Sequence, residues 1–166
     1  MATAAIALGS NLGNSRQTLT EAIAVLDQSD QIRVTAQSSW YRTAPVGPPQ
    51  PDYLNGCVVV ATSLSPDDLM ARLLEIEAQF GRVRRERWGP RHLDLDLLLY
   101  DQIQVKTDLV EVPHPRLSDR AFVLIPLAEI APEWIHPVTQ RSVLELKQAI
   151  DPTGVIRVER DSVQVI

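Results

Sequence analysis

Lysine is nearly missing from this chain of 166 residues, where Lys106 and Lys147 are the only two. A P-loop needs a lysine after its glycines, and Gly9-Ser-Asn-Leu-Gly13 has none behind it. No Gly-x-Gly-x-x-Gly occurs, so a dinucleotide fold or a protein kinase finds no support. Cys57 is the single cysteine, which excludes a disulfide within the chain. Long apolar runs are also lacking, and none approaches the roughly 20 residues that cross a bilayer. Met1 to Leu8 has no basic segment ahead of its short apolar run, unlike a secretory signal. These absences point to a cytoplasmic protein with no membrane partner.

Positive charge is scarce as well, except in one place. The net charge is −5, which argues against a nucleic-acid partner. Residues 82 to 91 hold Arg82, Arg84, Arg85, Arg87 and Arg91 against Glu86 alone, a local +4, so the rest carries −5 − 4 = −9. A basic loop on an acidic body suits a small anion, phosphate first, or is a charged loop facing water.

The apolar pattern divides the chain into elements. Ala4 to Leu8 reads as a buried strand ending in a turn. Asn14 or Ser15 caps a helix with Leu19, Ala22, Ile23 and Leu26 on its apolar face. From Ile32 to Trp40 the alternation of a strand places Ile32, Val34, Ala36 and Trp40 on one side. Residues 42–52 are too rich in proline for a helix or central strand. Tyr53 to Thr62 is a strand. Ser65-Pro-Asp-Asp68 starts a helix carrying Leu69, Leu73, Ile76 and Phe80, which stops at Gly81. A strand is expected from His92 to Tyr100, helices over 126–130 and 142–150, and a last strand near 154–160. This βαββαβ order predicts one α+β domain over residues 1–166 with a mostly antiparallel sheet.

Chemistry concentrates in His92-Leu-Asp-Leu-Asp-Leu-Leu-Leu-Tyr100. Strand alternation turns Leu93, Leu95, Leu97 and Leu99 to a core and puts Asp94 and Asp96 together on the other face, about 7 Å apart at Cα. Two adjacent carboxylates repel unless a cation neutralises them. Magnesium joined to phosphate oxygens is one such cation, and neighbouring arginines are the alternative. The basic loop runs straight into this strand, so the pair and the arginines together can clamp a polyphosphate. Tyr53 and Asn55 share a strand face, where they can stack on and bond to a flat heterocycle or simply fill the core. His114, between two prolines, can meet phosphate or stay in water.

Several segments, taken in order, resemble the hydroxymethyl-dihydropterin pyrophosphokinase family. They are Ala7-Leu-Gly-Ser-Asn-Leu12, Trp40-Tyr-Arg-Thr-Ala-Pro45, Gln50-Pro-Asp-Tyr-Leu-Asn55, Gly81-Arg-Val-Arg84, Arg87-Trp-Gly-Pro-Arg91, Leu93-Asp-Leu-Asp96, Val112-Pro-His-Pro-Arg116 and Arg120-Ala-Phe-Val-Leu-Ile-Pro-Leu127. The resemblance implies a three-layer αβα sandwich with a ferredoxin-like core. It also implies pyrophosphate transfer from ATP to hydroxymethyl-dihydropterin in folate synthesis, with AMP released and no phosphoenzyme. Asp94 and Asp96 would hold two magnesium ions. Tyr53 and Phe122 would sandwich the pterin, Asn55 would bond its edge, and backbone groups of Thr43, Ala44 and Val46 would read the rest. Arg82, Arg84, Trp88, Arg91, His114 and Arg120 would serve ATP, with Arg82 and Arg91 also counted as catalytic and the contact of Arg120 unassigned. Leu74 stands where some members carry glutamine, and the chain beyond about residue 140 matches poorly. A monomer acting on small molecules is expected. The competing readings are another magnesium-dependent phosphohydrolase or nucleotidyltransferase with the same carboxylate pair, and a ferredoxin-like binding module.

Overall fold

A computed structural model describes residues 1–11, 14–44, 49–81 and 93–158. The first part of the chain runs β1 (Ala2–Ser10), α1 (Ser15–Gln28), β2 (Ile32–Gln37), β3 (Tyr41–Thr43), β4 (Tyr53–Thr62), α2 (Pro66–Gln79) and β5 (Asp94–Tyr100). It continues with β6 (Val105–Lys106), β7 (Glu111–Val112), a 3-10 turn at Leu117–Asp119, α3 (Ala121–Ile130), α4 (Val143–Gln148) and β8 (Ile156–Arg157). The class is α+β. The main sheet has the order β5-β1-β4-β3-β8, with β2 also paired to β4, and each of its pairings is antiparallel.

The helix starts follow from their caps. Asn14 accepts the Gln17 amide at 3.2 Å, and Ser65 accepts the Asp68 amide at 3.1 Å ahead of Pro66. Ser142 and Glu145 form the reciprocal capping box at the start of α4. Each face of the sheet buries its own cluster. Leu19, Leu26, Leu69, Leu73 and Ile76 from α1 and α2 cover Ile6, Leu8, Val58 and Val60. Val123, Leu124 and Leu127 from α3, with Val143 and Leu146 from α4, cover Ala5, Ala7, Cys57 and Val59. A side chain buried as fully as Leu19 or Leu73 contributes about 1.5–3 kcal/mol.

Three expectations need correction. Alternation in β5 fails at Leu98: Ile6 pairs with Leu97 but Ala5 pairs with Leu99, so Leu98 is the extra residue of a bulge. Leu93, Leu95 and Leu97 therefore face α1 and α2, whereas Leu99 joins the α3 side. A like shift between Val34 and Ala36 sends Ala36 to the α3 side, away from Ile32 and Val34. Finally, α3 begins at Ala121 and runs through Pro126. Proline opposes a helix interior, but here Leu124 and Leu127 on either side are fully buried, and that packing outweighs local preference.

The strand expected over Ile32–Trp40 stops at Gln37, and β3 (Tyr41–Thr43) lies beyond it, reaching into the segment expected to be too rich in proline for a central strand. It nevertheless pairs with β4 on one side and β8 on the other, because its residues precede the first proline, Pro45. The break between β2 and β3 has a visible reason. Trp40 lies on Gly56, where a Cβ would come within 2.5 Å of the indole. The Ser38 amide donates to the Cys57 carbonyl and the Cys57 amide to the Ser38 hydroxyl, both at 2.9 Å. The strand thus bends without leaving β4, and β3 carries Thr43 to the level of Tyr53.

Candidate active site

One row of residues crosses the sheet near the ends of β1 and β5. Asp94 on β5 pairs with Gly9 on β1, Gly9 with Asn55 on β4, Asn55 with Tyr41 on β3, and Tyr41 with Arg157 on β8. Directly opposed residues project to the same face. Asp94 and Asn55 therefore share the α3 side, separated by a glycine. A Cβ on Gly9 would meet Asn55 Oδ1 at 3.0 Å, so the glycine keeps the floor between the two side chains open. Asp96 lies one step along, in the row Asp96, Ala7, Cys57 on the same face. Both aspartates are half-buried.

Asn55 is 6% exposed, and its Nδ2 donates to the Thr43 hydroxyl at 2.8 Å. Oδ1 lies on the Gly9 side, as an acceptor at the open floor. Tyr53 pairs with Thr43 and lies two residues before Asn55, hence on its face. Phe122, in the first turn of α3, packs against the cluster under the same face. The two aromatic rings predicted to flank a flat ligand are on one side of the sheet. Ala44 ends the described stretch beside Thr43, whereas Val46 lies outside the described residues.

Arg120 precedes α3 and lies 5.6 Å from the Phe122 ring centroid, within range of a cation–π contact. Burial lowers its pKa, opposed first by the negative charge of Asp96 and lastly by Asp94. Arg120 thus lies beside the Phe122 ring and within electrostatic reach of both carboxylates. Burial also pulls His114 below the ordinary histidine range, again against Asp96. Its Nδ1 accepts the Arg116 amide at 3.1 Å, so the neutral ring carries its proton on Nε2 as a donor. The His114 amide donates to Leu98, the bulge residue, at 2.9 Å.

Among the described residues, no group of three or more His, Cys, Asp or Glu side chains could hold a metal unaided. Asp94 and Asp96 offer hard oxygen donors but not a full cage. That set fits magnesium, which commonly takes one or two carboxylates and completes its shell with water and substrate phosphates. Cys57 is no nucleophile, since complete burial pushes its thiol far above the usual range.

Arg82, Arg84, Trp88 and Arg91 lie outside the described residues. Two residues escaped the sequence reading. Asn11, 2% exposed, donates Nδ2 to Gln50 Oε1 at 2.7 Å and to the Pro51 carbonyl at 2.9 Å, holding the approach to Tyr53. Glu77, 3% exposed, accepts the Leu95 amide at 2.7 Å. A signal for Glu77 existed, because it stands four residues after Leu73 on the apolar stripe of α2. Asn11 lay within a segment already singled out, Ala7-Leu-Gly-Ser-Asn-Leu12, but its partners 39 and 40 residues away were not readable from it.

A family model described as 7,8-dihydro-6-hydroxymethylpterin-pyrophosphokinase (HPPK) matches residues 5–132. The chain is 48% identical over 152 residues to a 2-amino-4-hydroxy-6-hydroxymethyldihydropteridine pyrophosphokinase of Synechocystis, covering 92% of this chain and 78% of the relative. It is also 48% identical over 126 residues to the protein of that name from Bacillus subtilis, covering 75% of each. The fold is similar to that of Plasmodium falciparum HPPK-DHPS with pteroate, at a TM-score of 0.68 and 14% identity, over 89% of this chain and 42% of the other. The chain thus spans less than half of that structure's length.

Proposed function

The chain belongs to the 7,8-dihydro-6-hydroxymethylpterin-pyrophosphokinase family, and we propose on that premise that it transfers pyrophosphate from ATP to 6-hydroxymethyl-7,8-dihydropterin in folate biosynthesis. The hydroxymethyl oxygen bonds to the β-phosphorus of ATP. The bond from that phosphorus to the α–β bridging oxygen breaks, AMP leaves, and the hydroxyl proton is given up. No residue of the chain need form a covalent bond.

The observation that carries this reading is the row Asp94, Gly9, Asn55 on one face. It sets an acceptor for a heterocycle beside a carboxylate pair for a metal–phosphate group, with only an open glycine between them. Asn55 Oδ1 accepts from the donor edge of the pterin, where ring N–H and amino groups lie together, while backbone groups of Thr43, Ala44 and Val46 read the remainder. Tyr53 and Phe122 hold the ring by its faces. His114 offers Nε2–H to phosphate, and Arg120 offers positive charge beside Asp96. Arg82, Arg84, Trp88 and Arg91 complete the ATP side by resemblance to the family. Asp94 and Asp96 would hold two magnesium ions, which would supply positive charge to offset that of the phosphates on the attacking and leaving sides.

The same reading takes residues 1–166 as one cytoplasmic, monomeric domain with a ferredoxin-like core inside a three-layer sandwich. Strand order and the helices on both sheet faces support that architecture. The deciding experiment mixes protein, ATP, magnesium and the hydroxymethyl-dihydropterin, and measures AMP. AMP should form only when the pterin is present. AMP and pyrophosphate that form without it favour a phosphohydrolase using the same pair, whereas a nucleotidyltransferase would release pyrophosphate and leave the AMP on its acceptor.

A further inference from the structure

Glu77 is an acid where its neighbours on α2 are core residues: Leu73 and Ile76 are 0% and 1% exposed, and Glu77 is 3% exposed. Burying a carboxylate is expensive unless partners meet its charge and lone pairs. One partner is the amide of Leu95, which donates to Glu77 Oε2 at 2.7 Å, the short distance of a charge-assisted bond. Leu95 is the residue between Asp94 and Asp96. Its side chain is 1% exposed in the cluster beneath α2, so both its amide and its side chain are fixed from the same helix. β5 ends the strand order, and a helix carboxylate takes the place of a neighbouring strand at this amide.

We propose that Glu77 is a positioning residue for the carboxylate pair. It fixes the planar peptide joining Asp94 to Leu95, and with it the direction in which Asp94 and Asp96 leave the strand. Metal affinity depends on both carboxylates meeting one geometry, so the cost of letting this peptide rotate falls on the metal–nucleotide complex. The bond also ties the last turns of α2 to the first residues of β5, the two points between which residues 82–92 run. The inference rests on the reading of Asp94 and Asp96 as the metal–phosphate clamp.

The test uses the full chain, Mn2+ as the probe and a non-hydrolysable ATP analogue, with bound Mn2+ followed by paramagnetic resonance. Glu77→Leu removes the acceptor and should weaken Mn2+ binding about 10–100-fold, the usual range for groups that orient metal ligands. Glu77→Gln keeps an acceptor oxygen and should stay within about threefold of the parent. Equal losses in both variants would mean that the charge, not the hydrogen bond, matters, and would overturn the proposal. Hydrogen exchange in the parent protein needs no variant. The Leu95 amide should be slowed at least about 100-fold relative to an unstructured peptide, and free exchange there would also overturn it. If Glu77→Leu does not fold, the exchange rate and the Gln variant decide. Asp94→Asn is the control for the underlying reading. Unchanged Mn2+ affinity in Asp94→Asn removes the clamp and the proposal together. A loss in Asp94→Asn with none in Glu77→Leu removes the proposal alone.

Discussion

The Thr43 hydroxyl accepts the Asn55 carboxamide N–H at 2.8 Å, tying the Asn55 side chain to β3. Nδ2 is engaged there, and Oδ1 lies on the Gly9 side. Thr43→Val keeps the shape of the side chain but frees the amide to turn. Affinity for the pterin should fall about three- to tenfold, the scale of one neutral hydrogen bond, while Thr43→Ser should restore it. ATP affinity should not change. Calorimetry with each ligand separately checks both statements.

Gly9→Ala is the sharper probe of the same floor. Its Cβ would lie 3.0 Å from Asn55 Oδ1, and Asn55 cannot retreat without giving up Thr43. The expected result is a loss in pterin affinity of about tenfold, near 1.4 kcal/mol, with melting temperature and nucleotide affinity close to the parent. An unchanged pterin affinity would mean that the floor is not used.

Tyr53→Ala and Phe122→Ala should each weaken pterin binding by about 1–3 kcal/mol, the cost of a lost stack on an aromatic base, and affect ATP much less. Phe122→Ala also removes the ring beneath Arg120. Of the two, it should be the one with the larger secondary effect on nucleotide binding.

Asp94→Asn and Asp96→Asn should each lower single-turnover rates at least about 100-fold, nearly 3 kcal/mol of barrier. Their effects on the metal-free fold should differ. Removing either charge relieves repulsion within the pair, but Arg120 is influenced more by Asp96 than by Asp94. Asp94→Asn should melt at or above the parent temperature, and Asp96→Asn below Asp94→Asn. A variant with full turnover per folded molecule would end the catalytic assignment.

Tyr41 supplies a pH dependence. Burial, and then its bond to Glu129 at 2.7 Å, push its phenol up from 10.0 to about 12. The unfolded chain loses this proton near pH 10, whereas the folded chain keeps it, so the contribution to stability is complete below pH 10 and is lost between 10 and about 12. Denaturant unfolding of the parent should weaken across that window more steeply than that of Tyr41→Phe. Parallel slopes would show that the phenol titrates normally.

Local chemistry was readable from the sequence wherever neighbours in the chain decide it. The caps at Asn14, Ser65 and Ser142 and the strand from Tyr53 to Thr62 appear where the residues place them. The Asp94–Asp96 pair was legible for the same reason, since alternation alone puts the two together. What partners decide was not. The bulge at Leu98 depends on pairing with β1, and the passage of α3 through Pro126 depends on burial from both sides. The adjacency of Asp94, Gly9 and Asn55 is a property of strand order, which joins residues far apart in the chain. Glu77 lay between these cases: its place on the apolar stripe was visible, but its partner was not.

Strand β5 has a further consequence through the side it turns away from β1. An outermost strand offers its open amides and carbonyls to any other chain that can add alongside. Here the Leu95 amide is occupied by Glu77 and the Leu98 carbonyl by the His114 amide. An incoming chain would have to displace both before it could pair. The bonds that Glu77 and His114 make to β5 therefore also block this edge, and loosening Glu77 should lower solubility on storage along with turnover.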